Sequence, residues 1–363
     1  MFVHWYDDSV RLTGRWSRQS SDGHDPHVFV QLTAAYTTAT APGSSFELAF
    51  KGRSAVLQFD LGYLGQPFPH LWISIDGGPR IEAPVDRYLR VQADDPGAHI
   101  VRVIYKGGME MLPRWHAPRM GAVSFIGAEV EAAGQLPPDS RPIVEFIGDS
   151  ITEGVLVDAD FSDCPPNIVD QFNRPYQDDS CATYAWLTAE RLNLRPIFQA
   201  YGAIGLTREG CGSVPRAGLI YPYVFDGAEY TGERPDVVVI NHGANDRAAS
   251  AEEYLQRYGE LIDLILERSP KAVMICLGAF CGAFDRELGE FAEAWNRSHS
   301  HPIHFISTRG WVPEEPLHPL RGGHEVKVFC FHILAHCLRH TADNKVCLIQ
   351  IKRCIVQRKR SKA

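Results

Sequence analysis

The hydrophobic pattern of this chain changes period once, and that change constrains the fold more than any other feature. The switch falls at a small, polar, proline-containing connector, Ala132-Ala133-Gly134-Gln135-Leu136-Pro137-Pro138-Asp139-Ser140. Before it lie short aromatic and β-branched runs separated by turn residues: 28–32, 45–50, 55–59, 71–75 and 99–105, with Asp76-Gly77-Gly78 as a turn signal. Period-two alternation in such runs predicts antiparallel strands in a β-sandwich or jelly roll. After it, apolar β-type runs at 143–147, 196–200, 236–241 and 272–277 alternate with helical patterns at 182–192 and 251–269. That rhythm predicts a mainly parallel sheet covered by helices on both faces. With 363 residues the chain exceeds what one core usually organises, so the expected domains are 1–135 (all-β), 141–340 (α/β) and a basic, frayed tail over 341–363. A closing helix is expected over 329–338.

A net charge of −8 argues against a nucleic-acid partner, because phosphate neutralisation needs a clustered basic surface and only the tail offers one. The first residues, Met1-Phe2-Val3-His4-Trp5-Tyr6-Asp7-Asp8, lack the basic start and apolar run of a secretory signal. No apolar stretch is long enough to span a bilayer. The expectation is a cytoplasmic protein without membrane partners. Nine cysteines without zinc-type spacing read as mostly reduced thiols, with Cys164 and Cys181 as the pair to form a disulfide in an exported chain. His332 and His336 stand four apart without a neighbouring acid and read as helix-surface residues. No metal or cofactor is expected.

Chemistry concentrates at the ends of the apolar runs in the second half, where active sites of parallel sheets gather. Val144-Glu145-Phe146-Ile147 runs into Gly148-Asp149-Ser150, placing a serine hydroxyl at the carboxyl end of a strand with following amides able to meet an oxyanion. The competing reading makes Ser150 the N-cap of a helix, with Glu153 completing a capping box. A second run, 237–241, ends in Gly243-Ala244-Asn245-Asp246. There the Asn245 amide can donate to the same oxyanion, and Asp246, like Asp149, can brace its loop. Between them, Gly202 or Gly205 at a third strand end can bring a backbone amide close to a substrate carbonyl, since no Cβ blocks the approach. Near the C-terminus His318 can take the serine proton, and Glu315, three residues earlier, can orient it.

In this order the elements resemble the SGNH (GDSL-like) hydrolase superfamily, over roughly 143–324. That resemblance implies a flavodoxin-like three-layer domain, Ser150 as nucleophile and His318 as general base. It implies an oxyanion hole from the Ser150 amide, Gly205 and Asn245. Gly205 is preferred to Gly202 because the Gly-Leu-Thr run aligns with the family's strand-end glycine. The family's aspartate is here Glu315, beside Glu314, so a Ser-His dyad stays open. The order of the two domains is similar to that of two-domain carbohydrate esterase family two acetylesterases. It implies a serine esterase removing short acyl groups, above all acetyl, from an oligosaccharide, with Trp72 and Trp115 either beside the cleft or in the core. The alternatives are a lipase or thioesterase on the same fold, and a non-catalytic carbohydrate-binding protein.

Overall fold

The structure, a computed structural model, describes residues 1–17, 36–62, 64–159, 174–309 and 317–326. The run 28–32, the helix expected at 329–338, the tail 341–363, Cys164, His332, His336, Glu314 and Glu315 lie outside the described residues.

Nine described strands form the antiparallel first part: β1 (Phe2–His4), β2 (Val10–Thr13), β3 (Thr37–Ala39), β4 (Ser45–Asp60), β5 (His70–Ile75), β6 (Ile81–Pro84), β7 (Tyr88–Gln92), β8 (Ala98–Gly107) and β9 (Val123–Ala133). The runs 45–50 and 55–59, expected as two strands, are one. β4 spans both, with its register on β9 shifting between Lys51 and Ala55. Its first half lies between β2 and β8, and its second half between β7 and β9. A strand that changes neighbours midway carries the chain from one layer of the sandwich to the other. Alternate side chains of these layers meet in one core that includes Phe46, Leu57, Phe59, Leu71, Val101 and Phe125, with Phe46 and Phe125 stacked at 3.9 Å between centroids.

The second part is a parallel sheet of β10 (Ile143–Gly148), β11 (Arg195–Ala200), β14 (Val237–Asn241), β15 (Val273–Leu277) and β16 (Ile303–Ile306). A small hairpin, β12 (Tyr223–Phe225) and β13 (Ala228–Glu229), stands apart from it. The helices are α1 (Ser150–Glu153), α2 (Arg174–Gln177), α3 (Tyr184–Leu192), α4 (Ala217–Ile220), α5 (Ala251–Arg268), α6 (Asp285–Ser298) and α7 (Arg321–Val326). Each inner strand is buried along its whole length, the signature of a sheet covered on both faces. Successive residues alternate between layers. Val238, Ile240, Met274 and Cys276 pack against Tyr258, Leu261 and Ile262 of α5 and Trp295 of α6, whereas Val237, Val239, Val273 and Ile275 pack against Tyr184, Trp186 and Leu192 of α3. This is the three-layer α/β domain the pattern predicts, preceded by the β-sandwich.

The strand order β11-β10-β14-β15-β16 makes β10 the first strand, with its successors on opposite sides. Such a reversal opens a crevice beyond the carboxyl ends of the strands where it occurs, here β10 and β14. The two parts of the chain are also joined in their interiors. Arg15, in the segment after β2, donates to Glu145 in the middle of β10 at 2.7 Å, both side chains being 1 % exposed, and to the Tyr221 carbonyl at 2.7 Å.

Candidate active site

Residues on either side of the β10 crevice form the candidate site. β10 ends at Gly148, where a Cβ would overlap the Thr152 hydroxyl and crowd the Asn241 carbonyl, so glycine lets α1 turn back directly over the strand. Asp149, not Ser150, caps this helix. Its backbone is extended and its carboxyl accepts from the Ile151 N–H at 3.0 Å. Glu153 does not complete a capping box. It is buried and pairs with the guanidinium of Arg114 from the β-sandwich part. Released from capping, the Ser150 hydroxyl meets the imidazole of His318, Nε2 to Oγ at 2.8 Å.

His318 is set in place by the residues after it. The Arg321 N–H donates to the Val157 carbonyl at 2.8 Å. Its guanidinium grips Asp158 through Nε at 2.7 Å and Nη2 at 2.6 Å, and reaches Asp179 at 2.9 Å. Asp179 in turn accepts from the Trp72 indole at 3.0 Å and the Cys181 N–H at 2.8 Å. Burial pulls the His318 imidazole below its ordinary value; the positive charge of Arg174 acts in the same direction and Glu110 opposes it. A ring kept neutral is a ring able to accept a proton. Among the described residues nothing bonds its Nδ1.

Asn245 donates to the Ile204 carbonyl at 2.9 Å, and a primary amide has a second hydrogen for another acceptor. Asp246 is buried and holds both the N–H and the hydroxyl of Thr207, at 2.8 and 2.7 Å. It thereby joins the loop after β14 to the loop after β11. Its carboxylate fills the space where a Cβ on Gly205 would project. The Gly205 N–H points within its own turn, to the Arg208 carbonyl at 3.1 Å, whereas the Gly202 N–H bonds to nothing among the described residues. Asp149 is pushed up to about 7, by burial first and by the nearby Asp246 in addition, against the stabilising Ile151 N–H. His242, just before the Gly-x-Asn-Asp turn, is fully enclosed, and burial pushes its imidazole down to about 4.

Trp115 is in the core beside Tyr223, and Trp72 is half-buried with its N–H donated to Asp179. Cys181 is a buried free thiol. Among the described residues no group of three or more His, Cys, Asp or Glu side chains is placed to hold a metal, and no helix is long and apolar enough to cross a membrane. Sequence reasoning did not single out Glu110, Arg114, Arg174 or Arg321, since each acts through a partner distant in the chain.

Residues 146–326 match the profile of the GDSL-like lipase/acylhydrolase family. A cellulase/esterase of Acetivibrio thermocellus is 28% identical over 289 residues, covering 71% of this chain and 32% of that protein. An acetylxylan esterase / glucomannan deacetylase of Cellvibrio japonicus is 25% identical over 278 residues, 70% of this chain and 71% of that protein. The chain thus spans about a third of the first relative's length. In structure it is similar to a family two carbohydrate esterase from Cellvibrio japonicus, with a TM-score of 0.73 and 18% identity over 93% of this chain and 98% of the other.

Proposed function

Because the chain belongs to the GDSL-like hydrolases over residues 146–326, we propose that it is a serine esterase that removes acetyl groups from an oligosaccharide. The observation that carries this reading is the 2.8 Å approach of His318 Nε2 to the Ser150 hydroxyl at the mouth of the crevice. A non-catalytic carbohydrate-binding protein has no use for a nucleophile and base in register.

In the proposed mechanism Ser150 Oγ attacks the acetyl carbonyl while His318 Nε2 takes its proton. The oxyanion accepts from the Ser150 N–H, the second Asn245 hydrogen and the Gly205 N–H, which must share or exchange its bond to Arg208. Collapse breaks the bond between the acetyl carbon and the sugar oxygen, the sugar leaves with the proton held by His318, and the acetyl group remains on Ser150 Oγ. Water, deprotonated by His318, then releases acetate and restores the serine. Asp149 and Asp246 brace the loops. Glu315 is proposed to orient His318 from the segment before it. If it does, Glu315→Gln lowers kcat while Glu314→Gln does not, and equal, negligible effects leave a Ser-His dyad. We further propose that residues 1–135 and 141–340 are the two domains of this enzyme.

The test is Ser150→Ala, assayed on p-nitrophenyl acetate and on an acetylated xylo-oligosaccharide. Loss of the nucleophile is expected to lower turnover by at least about a thousand-fold with the fold intact. Retention of more than a few per cent of wild-type turnover rejects the assignment. Acyl preference separates this reading from a lipase or thioesterase. Each methylene buried by a long-chain enzyme is worth about 0.8 kcal/mol, so a kcat/KM that rises steadily with acyl length contradicts an acetylesterase.

A further inference from the structure

The segment 108–121 that joins β8 to β9 leaves the β-sandwich and lies against the catalytic part. Arg114 pairs with Glu153 of α1, the helix that begins with Ser150, and its N–H donates to the Gly212 carbonyl at 3.0 Å. Four residues earlier, Glu110 reaches the carboxyl edge of the parallel sheet. Its Oε1 accepts from Arg174 Nη2 at 3.1 Å, and Arg174 is itself fixed by Asp178 at 3.2 Å. Its Oε2 occupies the place where a Cβ on Gly202 would stand. Because Gly148 of β10 pairs with Ala200 of β11, Gly202 and Ser150 leave the sheet at the same level on adjacent strands. Glu110 is thus beside the nucleophile turn, and its charge is felt by His318.

One oxygen of this carboxylate is therefore committed to Arg174, and the other has no hydrogen-bond donor among the described residues. The side chain is 14 % exposed, so a small donor can reach it. A carboxylate held rigid by a buried guanidinium, with an unused acceptor next to a nucleophile, suits a hydroxyl donor. We infer that Glu110 Oε2 accepts a hydrogen bond from a free hydroxyl of the sugar that bears the scissile acetyl group, so that the β-sandwich part takes a direct share in substrate choice. Gly202 is glycine, on this view, to admit that carboxylate. The inference rests on the esterase reading and adds to it a residue that distinguishes a polyol ester from a simple one.

The experiment compares wild type, Glu110→Gln and Ser150→Ala on two substrates at a pH on the plateau above the His318 titration. One is an acetylated xylo-oligosaccharide with free hydroxyls, the other p-nitrophenyl acetate, whose alcohol portion has none. Glu110→Gln is expected to lower kcat/KM on the sugar ester about ten-fold more than on the aryl ester, the worth of one charge-assisted hydrogen bond, chiefly through KM. If the variant is partly unfolded, the inactive fraction lowers both values alike and the ratio still decides. Equal losses on both substrates, or no loss on the sugar ester, overturn the role of Glu110. Aryl acetate hydrolysis that survives in Ser150→Ala overturns the esterase reading itself, whatever Glu110 does.

Discussion

His318 and Asp149 flank Ser150 in the chain's fold, and burial shifts their titrations in opposite directions. The imidazole is lowered because enclosure penalises its charged form, so it stays neutral, and competent as a base, to lower pH than an ordinary histidine. If His318 is the base, activity requires the neutral ring and is lost as pH falls through its titration. The kcat/KM profile on p-nitrophenyl acetate is therefore expected to rise with an apparent pKa below about 6.5, and a midpoint above that value contradicts the enclosed base. Asp149 is raised to about 7 by the same enclosure. A carboxyl whose folded pKa exceeds its unfolded one, about 3.9, stabilises the fold fully below the unfolded value and loses that contribution as pH rises through the folded one. Asp149→Asn keeps a capping side chain without this titration. Its melting temperature should fall less than that of wild type between about pH 5 and pH 8, and parallel curves would show that Asp149 does not titrate there.

At the scale of elements, Ser150 and His318, the proposed nucleophile and base, lie in and just before short helices that have little stability of their own. α1 has four residues and α7 six, below the length at which helices persist without tertiary support. One guanidinium ties them together, since Arg321 at the start of α7 holds Asp158 beyond the α1 turn and Asp179 before α3. The Arg321 side chain is 45 % exposed, and a pair so accessible contributes only about 0–1 kcal/mol to stability. Its importance is in placing His318. Arg321→Gln is accordingly expected to lower kcat about ten-fold with KM nearly unchanged and the melting temperature shifted little. Arg321→Lys should fall between, because an ammonium cannot reproduce the two-pronged grip on Asp158. A large fall in melting temperature with unchanged kcat would make this clamp structural alone.

Across the whole molecule, the sandwich and the α/β layers share buried polar ties as well as apolar surface. Arg15 and Glu145 are both enclosed, and the Tyr221 hydroxyl also donates to Glu145, at 3.2 Å. Taking one partner away leaves a charge stranded in the interior, at a cost of roughly 3–5 kcal/mol. Arg15→Leu and Glu145→Leu should each destabilise to that extent in denaturant unfolding, whereas the double replacement should cost clearly less than either. Additive single effects would show that the two side chains do not depend on each other. The same principle explains the segment 108–121, where Arg114 and Glu110 meet charged partners of the α/β part and so hold one part of the chain over the carboxyl edge of the other's parallel sheet.

Much of this was legible in the residues alone, because the information was local. Apolar runs of β type alternating with helical periods specify a covered parallel sheet, and a Gly-Asp-Ser or Gly-x-Asn-Asp turn ending such a run marks where chemistry emerges. What the sequence left undecided were relations between distant positions. Ser150 and His318 meet across 168 residues, and no spacing rule states that one of 15 histidines will be the one. The reading of Ser150 as a helix cap gave way because the fold gave that place to Asp149. A charged residue inside an apolar strand, such as Glu145, reads as an interruption until Arg15 arrives from the segment after β2. Glu110, Arg174 and Arg321 carry no periodic signal, because a salt bridge depends on where two side chains end up in space and not on how either is spaced along the chain. Secondary structure and motif position were thus determined by short-range sterics and hydrophobic period, while the pairing of buried charges and the assembly of the site were decided by tertiary packing.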